Sequence, residues 1–297
     1  MSLPSRLVSS VESSSALDDV ASTLRRAVEP LTARPLMRDA LTGRWLGHSV
    51  HPMVVALPMG CWIAASVLDV TRGPATAARR LVGVGTITAL PAVATGAADW
   101  LDTSGAEQRV GVAHAIANDA AVTLFAGSWL ARRSGRSTVG RVLSFLGLGA
   151  VGVAGYLGGH LAYGRGVGVS TTAFQSGPEE WTRVVRHDDL PLDAPAAVSL
   201  DGLALVAVRR ADRVDVLEDR CTHRGGPLSG GTLVDGCVEC PWHASRFDTV
   251  DGTVLAGPAS IPQPAYDTRV VDGWIEIRRA EPGGLRRNPT GAAHGGG

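Results

Sequence analysis

Residues 221 to 247 read CTHRGGPLSGGTLVDGCVECPWHASRF. Cysteine and histidine recur there as C-x-H, Cys221 and His223, and as C-x-x-H, Cys240 and His243, with 16 residues between the boxes. Thiolates and imidazoles ligate borderline-soft transition metals. Structural zinc takes all four ligands on one ion. A two-iron cluster takes both cysteines on one iron and both histidines on the other. Zinc modules usually keep cysteines in one box and histidines in another, whereas here each box carries one of each. Cys237 adds a C-x-x-C with Cys240, a spacing also met in zinc and redox pairs. The remaining cysteine, Cys61, lies in an apolar run, so the even, dispersed spacing of a disulfide-stapled secreted domain is not met.

The flanking residues narrow the choice. Gly225, Gly226 and Pro227 make a tight turn after His223, and Pro241 and Trp242 shape the second box. The stretches CTHRGGPLS and CPWHASRFD closely resemble bacterial Rieske ferredoxins and the ferredoxin-like domains of ring-hydroxylating oxygenases, over about residues 180 to 278. The resemblance implies a [2Fe–2S] cofactor with Cys221 and Cys240 on one iron and His223 and His243 on the other. It implies that Cys237 is a packed strand residue outside the ligand set. Rieske proteins of the respiratory cytochrome bc complexes carry one extra cysteine per box, joined by a disulfide; those positions here are Gly226 and Trp242. That subfamily also has a serine and a tyrosine that donate to cluster sulfurs; here they correspond to Ser245 and to Phe247, which has no donor. Hydrogen bonds to sulfur raise the potential, so the expected value lies toward the lower end of the roughly −150 to +300 mV Rieske range.

Oxygenase catalytic subunits add a large domain with iron held by two histidines and a carboxylate. Only 54 residues follow His243, and His294 is the one histidine among them. No flavin or nicotinamide fingerprint is evident. The expected role is therefore an electron-transfer component of an oxidoreductase system, not an oxygenase catalytic subunit.

What must position this site is a chain of 297 residues, long enough for about two domains. Its formal net charge is zero, which argues against nucleic acid as a partner. There is no lysine, and the mean hydropathy is +0.12, high for a soluble chain. Four long apolar stretches, about 51–70, 81–100, 110–131 and 142–163, each approach the roughly 20 residues that cross a bilayer as a helix. Gly155 and Gly159 make a small-xxx-small pair suited to close packing in lipid. Before them, Leu17, Val20, Leu24, Val28 and Leu31 recur at helical spacing behind a possible Ser15/Asp18 capping box. After Gly168, short alternating runs (WTRVV, LALVAVRR, RVDVLE, WIEIR) separated by Asp, Gly and Pro clusters read as a small all-β domain.

The expected architecture is thus multidomain. An amphipathic or flexible segment covers 1–47, an all-α four-helix transmembrane bundle 48–168, a small all-β Rieske domain 169–280, and a disordered tail 281–297. The stretches HSVHPMVVALP, TGAADW and YLGGHLAYGRG resemble an uncharacterised bacterial four-helix membrane family, over about residues 40 to 168, which supports a bundle and supplies no activity. The expected location is the cell membrane, multi-pass, with the lipid bilayer as one partner. The first and third connections hold Arg72, Arg79, Arg80, Arg132, Arg133, Arg136 and Arg141, which places them in the cytoplasm and both termini outside. A disulfide-free, ferredoxin-like cluster points the other way, and the arginines are given the greater weight.

Ionisable residues inside a membrane domain are functional candidates. His51, His114 and His160, with His48, Asp99 and Asn118, fall at one end of an up-down bundle. The histidines are candidates for a b-type haem or a quinone site, against a purely structural role in which they hydrogen-bond Asp99, Asn118 or each other. The expected function is a membrane-anchored carrier of single electrons to or from a quinone, a haem or a partner oxidoreductase. The alternatives are a redox sensor whose cluster state changes the membrane domain, and a structural zinc module.

Overall fold

The computed structural model describes residues 3–280; the expected tail at 281–297 lies outside the described residues. The chain divides into two compact units, residues 1–169 and 170–297.

The first unit is helical. Helices α1 (Leu3–Ser13), α2 (Ala16–Thr32) and α3 (Pro35–Thr42) precede the long helices α4 (His51–Val70), α5 (Ala75–Trp100), α6 (Gly105–Arg133) and α7 (Ser137–Gly159). α7 continues as a π turn over His160–Gly164. The periodicity around Leu17–Leu31 forms α2, but Ser15 is itself in the helical region and makes no side-chain cap. Asp18, free of capping duty, instead takes a bidentate bond from Arg109 of α6. α4 through the α7 extension are each long and apolar enough to cross a membrane. Large side chains such as Leu57, Ile63, Ile87, Leu90, Phe145 and Leu146 point outward and are exposed. A helix apolar on its outer as well as its inner face suits a lipid surround.

α4 packs on α5 and α7, and so does α6, so α4 and α6 face each other across the bundle diagonal. Three layers cross that diagonal. At one end lie His51 and His114. In the middle Trp62 and Phe125 stack with ring centroids 4.3 Å apart and planes parallel within 2°. At the other end Arg132 makes a bidentate ion pair with Asp69, both side chains 3% exposed, supported by Ser128 and Ser144. Arg132 is therefore an interior residue, not the loop cation its neighbourhood in the sequence suggests.

These pairs expose an internal repeat. His51/His114, Trp62/Phe125 and Asp69/Arg132 are all separated by 63 residues. On the neighbouring helices Gly85, Ala92 and Gly96 match Gly147, Ala154 and Gly158 at a constant interval one residue shorter. Gly85 lies against the Trp62 ring and Gly147 against the Phe125 ring. The α4–α5 and α6–α7 hairpins are thus two copies of one motif around a pseudo-two-fold axis that runs along the bundle.

The second unit is antiparallel β. A six-stranded sheet runs β1(Thr182–Arg186)-β10(Trp274–Arg279)-β9(Ala265–Val271)-β4(Val214–Glu218)-β3(Leu203–Arg209)-β2(Pro195–Leu200). A four-stranded sheet runs in sequence order, β5(Thr232–Val234), β6(Cys237–Glu239), β7(Arg246–Asp248) and β8(Val254–Ala256). Alternate residues of a strand face opposite sides. Leu205, Ala207, Val214 and Val216 accordingly build one core with Tyr266, Ile275 and Ile277. Val206 and Leu217 build the other, with Cys221, Leu228, Val238, Cys240 and Phe247. Burial on both faces explains why β3, LALVAVR, is apolar over nearly its whole length, and all five residues of β4 are buried although two of them, Asp215 and Glu218, are acids.

Candidate iron–sulfur site

The two boxes fold into loops with the same hydrogen-bond scheme. Cys221 N–H donates to Gly226 O at 2.9 Å, and Gly225 N–H returns to Cys221 O at 2.8 Å. Cys240 N–H donates to Ser245 O at 2.8 Å, and Ala244 N–H returns to Cys240 O at 3.0 Å. Closing each loop requires a left-handed residue four after the cysteine. Gly225 (φ 76°) supplies one without strain, and Ala244 (φ 57°) supplies the other with a Cβ. The left-handed Gly257 (φ 90°) lies beneath the second loop, where an added Cβ would stand 2.4 Å from Ser245 Cα.

The loops bring the four candidate side chains together. The Cys221 and Cys240 thiols are neighbours, and the ionisation of each is linked to the other. The His223 and His243 rings have centroids 5.0 Å apart and meet edge to face, with both Nδ1 atoms shielded from solvent and the residues as a whole half-buried. The Cys240 thiol, with burial, pushes the Cys221 thiol up. The Cys221 thiol in turn lowers Cys240, against its burial and with help from the N–H groups of Trp242 and His243. The sulfur of Cys221 likewise faces the N–H groups of His223 and Arg224. Oriented N–H groups of this kind stabilise negative charge on sulfur.

This donor set fits a two-iron cluster. Sulfur is paired with sulfur and imidazole with imidazole, whereas among the described residues no three His, Cys, Asp or Glu side chains converge on a single-ion position. Cys237 points away: it is buried on β6 with its sulfur 3.7 Å from Asp235 O. Gly226 and Trp242 do meet between the loops. A Cβ on Gly226 would lie 2.9 Å from the indole and 3.0 Å from Cys240 Sγ. A glycine–indole contact thus joins the loops at the positions where the bc-type proteins place a disulfide. Ser245 is fully buried and its Oγ accepts the Ala259 N–H at 3.1 Å. Phe247 is fully buried in the core that also contains both cysteines.

The motif reading missed the residues that hold the first loop. Gln263, 2% exposed, accepts Thr222 N–H at 3.0 Å and donates to Glu218 O and Arg220 O, both at 2.7 Å. Asp219 accepts Ser229 N–H and Oγ–H at 2.6 and 3.0 Å. Thr171 donates to Cys221 O at 2.8 Å. Gln263 is 40 residues from the box it supports, and an isolated glutamine carries no spacing signal.

The membrane histidines separate into two kinds. His51 Nδ1 lies 3.0 Å from Ala92 O and 3.2 Å from Thr95 Oγ1. His114 Nδ1 lies 2.8 Å from Ala154 O, with the Asn118 amide nitrogen 3.0 Å from its Nε2. His160 instead meets Glu12 of α1 at 2.8 Å, which Arg165 also binds. Burial raises the Glu12 carboxyl, but the bonds to His160 and Arg165 and the Arg165 charge outweigh it and hold it below its usual value. Asp99 bonds Ser49, and His48 bonds the Ser49 carbonyl. At the far end of the bundle a cleft of about 580 Å³ is flanked by Arg79, Arg80, Trp129 and Arg133, remote from His51 and His114.

A double Cys/His box on paired loops, behind a four-helix domain, defines an iron–sulfur protein with a membrane domain. The chain belongs to the Rieske [2Fe–2S] family. Residues 180–267 match the Rieske [2Fe-2S] domain model, and residues 47–171 match the family described as Predicted membrane protein (DUF2231). It is similar to the anthranilate 1,2-dioxygenase ferredoxin subunit of Burkholderia cepacia, 34% identical over 33% of this chain and 91% of that protein. It is similar to ferredoxin CarAc of Metapseudomonas resinovorans, 31% identical over 33% of this chain and 92% of that protein. The match to chloroplastic protein TIC 55 of Pisum sativum, 32% identical over 37% of this chain, spans 22% of that longer protein. Among solved structures, the ferredoxin of carbazole 1,9a-dioxygenase from Nocardioides aromaticivorans IC177 is 31% identical, covering 34% of this chain and 98% of that one, with a TM-score of 0.32. A Rieske domain carries a [2Fe–2S] cluster, and the chain's second unit is an electron-transfer domain of this kind.

Proposed function

We propose that Cys221 and Cys240 hold one iron, that His223 and His243 hold the other through Nδ1, and that the chain is a membrane-anchored carrier of single electrons. The pairing of thiol with thiol and ring with ring, on two loops of identical hydrogen bonding, carries the assignment. When bound, the cluster supplies a one-electron couple. The protein's part is to hold four donors rigid, to direct N–H groups at the cysteine sulfurs, and to leave the histidine edges half-exposed for a partner. That partner is a quinone, a haem or a separate oxidoreductase at the membrane. The four apolar helices keep the domain at the bilayer, and the loop arginines favour its extracytoplasmic side.

The cluster is of low potential, because Phe247 offers no hydroxyl where a donor would raise it. The test is dithionite reduction of the detergent-purified full chain with electron paramagnetic resonance and metal analysis. The expected result is two irons per chain and a Rieske signal in the reduced state, lost on replacing any one of the four ligands by alanine. One zinc per chain and no reducible iron, in protein that kept its native metal, sinks the assignment.

A further inference from the structure

The pseudo-two-fold axis of the bundle places one histidine of each repeat at its equivalent position, His51 on α4 and His114 on α6. The two helices face each other across the diagonal. Each ring is held in the same way by its following helix. His51 Nδ1 meets the carbonyl of Ala92, and His114 Nδ1 meets that of Ala154. A carbonyl only accepts, so Nδ1 carries the proton in both rings and the lone pair sits on Nε2. Metal-ligating histidines are characteristically oriented in this way, with one ring nitrogen donating to a backbone carbonyl and the other free to bind. Four residues after each carbonyl stands a glycine against the ring. A Cβ would lie 2.7 Å from His51 Cε1 at Gly96, and 3.1 Å from His114 Cε1 at Gly158. Both repeats therefore keep a glycine where a side chain would push the imidazole out of place.

Three turns further along, the Trp62–Phe125 stack closes the interior. Between the two layers most buried positions are small, Cys61, Ala89, Ala92, Ala121 and Ala154 among them, with Pro58, Thr95 and Leu157 also buried. Bundle cores build cofactor sites from side chains on facing helices in this manner. Two neutral imidazoles, one from each half of a two-fold repeat, form the ligand set of a planar metal complex with two open axial positions.

We infer that His51 and His114 are the axial ligands of one b-type haem, held on the repeat axis near one end of the bundle. His160 is no part of it, since its Nε2 is committed to Glu12. The Asn118 amide, 3.0 Å from His114 Nε2, also donates to the His114 carbonyl at 2.9 Å. It keeps that second bond when iron takes the Nε2 lone pair. The site is independent of the iron–sulfur assignment and would supply a second one-electron centre in the same chain.

The test is the full chain purified in detergent from cells supplied with a haem precursor. Haem content is measured as the pyridine haemochrome, together with the reduced-minus-oxidised spectrum. The expected result is one haem per chain with a sharp α band. His51→Ala and His114→Ala should each lower haem content at least about tenfold, while His160→Ala leaves it unchanged. His114→Gly should recover haem when imidazole is added, which separates loss of a ligand from loss of fold. Cys221→Ala should remove the Rieske signal and leave the α band, so each assignment fails by itself. The inference is overturned by wild-type protein that carries no haem and binds added hemin no better than the double alanine variant. Full haem retention in that double variant overturns it equally.

Discussion

Glu218, at the end of β4, is the buried carboxylate whose removal has the most calculable effect. It is 1% exposed, and its Oε1 is shielded from solvent and has no hydrogen-bond partner among the described residues. Burial pushes its pKa from 4.5 to about 7, with the Arg220 charge offsetting part of the effect. Its neighbour Tyr266 is pushed up to about 12, by burial first and by the Glu218 charge second. Between these two Glu218 values the folded chain binds a proton that the unfolded chain has released. Stability therefore falls as pH rises. The favourable protonated state is fully present below about pH 4.5 and is lost through about pH 7. The whole difference is at most about 3 kcal/mol. Glu218→Gln keeps the shape and removes the ionisation. Denaturant unfolding of the full chain, followed by the visible circular dichroism of the cluster, should be run on both proteins at about pH 5 and about pH 8.5. Titration of the ligands is common to the two and cancels in their difference. The variant should gain about 2–3 kcal/mol over wild type on going from the lower pH to the higher. A difference that does not change with pH, or one that favours wild type at high pH, refutes the argument that this carboxylate is ionised at the expense of the fold.

Gln263→Leu removes the strut beneath the first loop and leaves Thr222 N–H and two carbonyls buried without their partner. At about 1–3 kcal/mol for each buried group left unpaired, the loss is about 3 kcal/mol or more, read as reduced iron and sulfide per chain and an earlier unfolding midpoint. Phe247→Tyr places a hydroxyl in the core shared with Cys221 and Cys240. If it reaches a sulfur the midpoint potential rises, which a redox titration followed by paramagnetic resonance detects; an unchanged or lower potential rejects Phe247 as the reason for a low value. Asp69→Ala leaves Arg132 buried and uncompensated, and should destabilise the bundle by about 3–5 kcal/mol in thermal unfolding in detergent.

Much of the site was legible before any fold was known. Cys221, His223, Cys240 and His243, the quartet proposed to hold the cluster, stand out in residue type and spacing, because a loop that is to present two donors to two irons cannot vary its length freely. The long apolar stretches likewise announce α4 to α7, because a helix in lipid must be apolar over about 20 residues whatever it packs against. The small sheet β5–β8 escaped notice, since strands such as Cys237–Glu239 and Arg246–Asp248 are too short to show alternation. Helices α1 and α3 escaped for the same want of a long periodic face.

The sequence by itself determined the class of protein: a bilayer-length helical half, a β half, and a double Cys/His box recognisable by its spacing. Local rules suffice there, because each feature depends on neighbours within a few residues or on composition along one element. Only the tertiary structure decided which distant groups act together. Gln263 under the first loop and Gly226 against Trp242 are contacts between chain segments that no local pattern links. The pairing of Asp69 with Arg132, and the equivalence of His51 with His114, follow from a repeat whose identities survive only at contact positions. A side chain's partner is set by packing across elements, and that information lies in the folded arrangement of the helices and loops.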